Sequence, residues 1–236
     1  MQKGKLFLIP NTLGSDDISL TIPVGIKDVI NNIDCYIVEN IKTAAKFLKL
    51  AGLKKNLKEL TFYVLNVNTP QTEISGYLDE AESGKNIGLI SEAGLPCIAD
   101  PGNVIVKLAH GKNIRVVPLT GPSSIMLALM ASGFNGQEFA FNGYLPIDKN
   151  LRREKLKELE KKVKFAGTSQ VFIEAPHRND RLIEEMIGVL KGDTGLCIAS
   201  ELTGGNELIQ VMPVNKWKQI NYKPGKVPVI YILGKL

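Results

Sequence analysis

Residues 87–102 constrain the fold more than any other part of this 236-residue chain. Ile87-Gly-Leu-Ile90 is a short apolar run, as expected of a strand covered on both faces. A loop carrying Gly94, Pro96, Asp100, Pro101 and Gly102 follows at once. Asp100 suits a helix cap and Pro101 the first helical position, so a helix is expected from there to about Gly111. Strand, Gly/Pro loop and helix, in that order, build the ligand crevice of open α/β sheets at the carboxyl edge of the strands.

The alternation continues along the whole chain, and the expected class is α/β. Strands are predicted at 6–9, 35–39, 61–65, 87–90, 114–119, 138–142, 170–174, 196–200 and 227–233, with 207–212 as a further candidate. Helices are predicted at 23–33, 43–50, 72–84, 123–132, from about 151, and at 179–190. The turn Thr120-Gly-Pro-Ser-Ser124 is the best boundary, giving expected domains of 1–119 and 120–236.

With 44% apolar residues the chain has material for ordinary cores. No apolar run approaches the ~18 residues of a membrane span. The basic start is followed by an apolar stretch that stops at Ile9-Pro10, so no signal peptide and a cytoplasmic location are expected. Cys35, Cys97 and Cys197 lie far apart in or beside apolar runs. They are expected to be buried small hydrophobes, with no metal or disulfide spacing.

The charge is localised. Residues 149–164 hold eight basic and three acidic side chains, an excess of +5 that equals the net charge of the whole chain. Such a block attracts polyanions, or it is a solvated helix face with Glu158 paired to Lys162. His177 and Arg178 follow a predicted strand and a proline, where a base and a phosphate ligand would face a strand edge. A surface or capping role is the alternative for His177. Glu39 and Glu201 are candidate proton acceptors or structural carboxylates. Trp217 and Tyr222, among Lys216, Lys218 and Lys223, either stack bases or cover the core.

The loop Ser91-Glu-Ala-Gly-Leu-Pro…Ala99-Asp-Pro-Gly102 resembles the S-adenosylmethionine loop of the tetrapyrrole-methylase superfamily. It is most similar to the branch of small-subunit ribosomal RNA cytidine 2′-O-methyltransferases. Four further segments agree in the family's order: Thr120-Gly-Pro-Ser-Ser124, Gly143-Tyr-Leu-Pro146 with Arg152-Arg153, Phe172-Ile-Glu-Ala-Pro-His-Arg178, and Ala199-Ser-Glu-Leu-Thr203. The resemblance spans most of residues 5–234.

That resemblance implies two α/β domains of the tetrapyrrole-methylase type, with the S-adenosylmethionine site in the cleft between them, and a homodimer. It implies cofactor contacts from Leu13, Gly94, Leu95, Pro96, Ile98, Ser124, Ile125, Ile173, Glu174, Ala199, Glu201 and Pro228, mostly through backbone groups, and no metal. Core packing is the alternative for Leu13, Ile98, Ile125 and Ile173, an ordinary turn for Gly94 and Pro96, and a helix cap for Ser124. Glu39, His177 and Arg178 are the candidate catalytic residues. Lys149, Arg152 and Arg153 are the candidate substrate contacts.

Departures are present. Leu95 stands where the branch usually has Thr. Glu39 is kept but the acid after it is Asn40, and Asn66-Val-Asn-Thr69 replaces a His-rich segment. The expected function is methylation of a ribose 2′-hydroxyl of small-subunit ribosomal RNA. A tetrapyrrole or corrin C-methyltransferase, and a SAM- or RNA-binding homologue without catalysis, are the competing readings.

Overall fold

In a computed structural model describing residues 2–236, the chain divides into two compact units, one up to Ser123 and one from Ser124 to Leu236.

The first unit holds β1 (Lys5–Ile9), α1 (Ile26–Asn31), β2 (Cys35–Val38), α2 (Ile41–Leu50), β3 (Thr61–Val64), α3 (Gln71–Ile74), α4 (Asp79–Glu82), β4 (Ile87–Ile90), α5 (Asn103–Gly111) and β5 (Arg115–Pro118). Its sheet is parallel throughout, in the order β3-β2-β4-β1-β5. Alternation along β2 divides the core. Cys35 and Ile37 join the layer under α3, α4 and α5, while Tyr36 and Val38 join the layer under α1 and α2. Apolar strands covered on both faces are what a parallel sheet requires.

The second unit holds α6 (Ser124–Ser132), β6 (Phe139–Tyr144), α7 (Lys149–Ala166), β7 (Ser169–Ile173), α8 (Asn179–Val189), β8 (Gly195–Ser200), β9 (Leu208–Pro213), α9 (Val214–Ile220) and β10 (Val229–Gly234). Its sheet runs β6-β7-β10-β8-β9; β6 and β7 are parallel and the other neighbours antiparallel. Leu156, Leu159 and Val163 of α7 pack with Leu182, Ile183 and Met186 of α8 over Phe172 and Tyr231, whose rings stack at 5.7 Å. Buried Asn179 pins the start of α8: its amide donates to the carbonyls of Gly225 (2.9 Å) and Val227 (2.8 Å), and its Oδ1 accepts from Tyr231.

The structure departs from sequence expectation in three elements. The helix expected at 72–84 is broken into α3 and α4 by the turn through Gly76. The helix expected from Asp100 begins at Asn103, behind a turn that Asp100 closes by accepting from Cys97 N (2.7 Å) and Gly102 N (2.6 Å). Trp217 lies on α9, which no sequence signal predicted. It is fully buried and donates from Nε1 to Leu196 O (3.0 Å), so it is a core residue and the base-stacking reading is withdrawn. All three thiols are free, each pushed up to about 12 mainly by burial, so none is a ready nucleophile at neutral pH. Among the described residues no helix is long and apolar enough to cross a membrane.

Candidate active site

Neighbouring β1 and β4 send their following loops to the same edge of the first sheet. The two loops are stitched together by backbone: Asn11 N donates to Gly94 O (2.9 Å), and Gly94 N donates to Thr12 O (3.2 Å). Asn11, 4% exposed, reinforces this by donating from its amide to the carbonyls of Ser91 and Glu92, both at 3.0 Å. Its role was missed in the sequence; the only signal was a polar residue directly behind a strand and proline.

Gly94 has φ +67°, and a Cβ there would lie 3.0 Å from Leu13 Cδ2 and 3.2 Å from Pro122 O. The loops after β1, β4 and β5 therefore converge, bringing Leu13, Gly94 and Pro122 together. Cys97 (φ 70°) and Ala99 (φ 64°) take the same left-handed backbone region without being glycine. Residues held in such conformations cost about 1–3 kcal/mol each and cluster at ligand sites. Leu95 is half-buried, Pro96 buried and Ile98 exposed on this loop.

A small hollow lies beside it at the ends of β2, β3 and β4, lined by Glu39, Ser91, Pro96 and Asp100 among others. Glu39 Oε1 accepts from Glu92 N at 3.2 Å. Burial pushes its carboxyl above the ordinary value; the Glu92 N–H pulls it back, and the neighbouring Asp100 and Glu92 charges push it further up. Burial also raises Asp100, against the backbone N–H groups of Gly102, Cys97 and Ile98.

The second unit has its own cluster of loops. Ile173 and Ala199 flank Ile230 in register across β7, β10 and β8, and Glu201 N donates to Pro228 O (3.1 Å). Ile173, Glu174, Ala199, Glu201 and Pro228 are thus brought to one edge of that sheet. Glu174 is 5% exposed, accepting from Ala175 N (2.7 Å) and from Arg178 Nη2 (2.6 Å). Glu201 (φ 49°) and Thr203 (φ 67°) are both left-handed. Two buried polar atoms at this edge, Arg178 Nε and Thr203 Oγ1, have no hydrogen-bond partner among the described residues. An unsatisfied buried polar group costs about 1–3 kcal/mol and marks a place where a ligand or water completes the set. Thr203 lay within a recognised segment but was not singled out by sequence. His177 is exposed on a 3₁₀ turn, Pro176–Arg178. Ser124 opens α6, and Ile125 is buried at 6% exposure.

The substrate candidates separate. Lys149 and Arg153 are exposed on α7. Arg152 is 4% exposed, and its guanidinium is saturated: Nε and Nη2 bind Glu185 at 2.6 and 2.7 Å, while Nη1 donates to the carbonyls of Pro146 and Ile147. Its expected role as a substrate contact is corrected to a structural one, tying the start of α7 to α8.

No family model matches the chain. It is 33% identical over 210 residues to the ribosomal RNA small subunit methyltransferase I of Vibrio cholerae, covering 89% of this chain and 68% of that protein. The chain belongs to the small-subunit ribosomal RNA methyltransferase I family. The corresponding protein of Buchnera aphidicola subsp. Schizaphis graminum is 31% identical over 234 residues, covering 96% of this chain and 78% of the relative. Uroporphyrin-III C-methyltransferase from Thermus thermophilus, solved in complex with S-adenosyl homocysteine, shares the fold. It matches 98% of this chain and 97% of that one with a TM-score of 0.60 at 13% identity. The fold is therefore that of the tetrapyrrole methylases, and the Gly94 loop belongs to a methyltransferase.

Proposed function

We propose that this member of the methyltransferase I family moves the methyl group of S-adenosylmethionine to a ribose 2′-hydroxyl of small-subunit ribosomal RNA, in the cytoplasm and as a homodimer. The family relationship carries the reading, because relatives similar over most of the chain bear that RNA in their names. The donor fits the residues present. Gly94 leaves a cradle that a Cβ would fill, the left-handed loop offers backbone groups, and Arg178 Nε and Thr203 Oγ1 await partners. Leu13, Gly94, Leu95, Pro96, Ile98, Ser124, Ile125, Ile173, Glu174, Ala199, Glu201 and Pro228 are the residues proposed to contact it.

When bound, S-adenosylmethionine supplies an already activated methyl on a sulfonium. The protein then has two tasks, alignment and proton removal. Holding reactants in line lowers the barrier by roughly 7 kcal/mol or more. For the proton, Glu39 is the proposed acceptor. Burial raises its affinity for protons, which makes its carboxylate the stronger base. His177 and Arg178, on the other cluster, are proposed to face the acceptor nucleotide. Tritium transfer from labelled S-adenosylmethionine into small ribosomal subunits tests the function. Label confined to one cytidine ribose is expected; folded protein that binds the donor yet labels no RNA overturns the substrate assignment.

A further inference from the structure

The eight basic side chains of α7 are not equivalent. Arg152 is neutralised by Glu185, Lys164 by Asp193 at 3.0 Å, and Lys155 and Lys162 share Glu158 at 3.0 and 2.7 Å. The other four are Lys149, Arg153, Lys157 and Lys161. All four are exposed, and none makes an ion pair or side-chain hydrogen bond with another described residue. They occupy every fourth position, so they form one gently spiralling row with a step of about 6 Å along the helix.

The row starts in an open groove between α7 and α8. Lys149 and Arg153 form one wall, and Arg181, Glu184 and Gly188 the other. Gly188 has no side chain, which leaves the groove open towards the C-terminal end of α8. Glu185 lines the groove too, but both its oxygens are held by Arg152, at 2.6 and 2.7 Å. Arg181 reaches Glu185 only at 3.4 Å and is 66% exposed, and Glu184 is engaged by Lys223 at 3.6 Å. Lys149, Arg153 and Arg181 thus outnumber Glu184 and Glu185 at the groove, and Glu185 is already held by Arg152.

We infer that the Lys149–Arg153–Lys157–Lys161 row, entered through the α7–α8 groove, is a track for the phosphate backbone of the RNA substrate. This rests on the proposed function and names a binding surface for it. Four unpaired cations at even spacing make this row match a polyanion of regular charge. Its contribution is sequence-independent: it sets register and affinity by releasing counterions. The paired lysines on the same helix contribute less, because Glu158 cancels one of the two charges of Lys155 and Lys162 and holds both side chains.

The test compares two sets of charge removals on one helix in the full-length protein. The row variant carries Lys149→Gln, Arg153→Gln, Lys157→Gln and Lys161→Gln. The control carries Lys155→Gln and Lys162→Gln. Binding of a small-subunit ribosomal RNA transcript is measured across a salt series, with S-adenosylmethionine binding measured separately by calorimetry. The row variant should bind RNA at least about tenfold more weakly, and its log-affinity against log-salt slope should fall by about 3, at roughly 0.7 per lost phosphate contact. The control slope should stay close to that of the unmodified protein, and both variants should bind the methyl donor normally.

An unchanged slope in the row variant overturns the track. So does a control that loses as much per charge as the row, which would reduce the effect to net charge. Unmodified protein that binds the donor but not the transcript overturns it as well. Loss of donor binding in the unmodified protein, with RNA slopes as expected, would instead sink the methyl-transfer reading and leave the track standing.

Discussion

Glu39 joins sequence, burial and chemistry in one side chain. Its raised value means the folded state holds that proton more tightly than the unfolded chain does. The resulting contribution to stability is full below the unfolded value, about 4.3, and is lost as pH rises through the higher folded value. In its ionised form the half-buried carboxylate is a net cost to the fold. Glu39→Gln keeps an oxygen to accept from Glu92 N and removes the charge. The variant should therefore melt at a higher temperature than the parent at pH 7 to 8. That advantage should shrink on acidification and vanish below about pH 4. Methyl transfer should fall by roughly 10²- to 10⁴-fold. A variant with unchanged rate would dismiss Glu39 as the proton acceptor. The carboxylate itself was legible in the sequence as an acid behind a strand, but its hollow was not, because Asp100 and Ser91 are brought to it by the sheet. Arg152 was misread for a related reason: the basic block is visible in sequence, whereas its neutraliser, Glu185, is 33 residues away.

Among elements, what was legible followed local chemistry. The strand, loop and helix of residues 87–111 were visible because β4 is a run buried on both faces and the loop is punctuated by glycine and proline. The broken α3–α4 segment was not, since its apolar Ile74, Tyr77 and Leu78 keep helical spacing across the turn at Gly76. Likewise α9 is a seven-residue helix held by the burial of Val214 and Trp217, which local propensity does not report. Two glycines separate stability from function at this scale. Gly167 ends α7 with φ 70°, its N–H on Val163 O at 3.0 Å, and a Cβ there would meet nothing within 4 Å. Gly167→Ala should lower stability by about 1 kcal/mol, the cost of a left-handed alanine, with donor affinity unchanged. Gly94→Ala bears the same backbone cost and also presses on Leu13 and Pro122. Its stability loss should come with weaker S-adenosylmethionine binding. Urea titration and calorimetry on both variants check the contrast, and equal donor affinities would remove Gly94 from the cofactor site.

For the whole molecule, the core layout makes a claim about cooperativity. Two apolar clusters lie within the first unit, on the two faces of its sheet, and a third lies within the second. Each unit exceeds 110 residues, enough to bury a core of its own. Trp217, the chain's only tryptophan, sits in the third cluster, so its fluorescence follows the second unit alone while far-ultraviolet dichroism follows both. Ile37→Ala hollows out β2 in the first unit, where Ile37 is fully buried, and should cost about 2–5 kcal/mol there. If the units unfold separately, the dichroism transition moves or splits while the Trp217 transition stays in place. Arg152→Ala strips the buried Glu185 of its two-pronged partner and leaves only Arg181 at 3.4 Å, at a cost of about 3 kcal/mol, and should move the Trp217 transition directly. Bond formation with Arg152 also holds Glu185 below the usual carboxylate range, so this contribution exists above the unfolded value and fades as pH falls through the folded one. The gap between parent and Arg152→Ala should thus narrow on acidification, the opposite course to Glu39→Gln only in the sign of the change. Coincident fluorescence and dichroism transitions in both variants would instead make the chain one cooperative unit, with the damage in either core felt throughout.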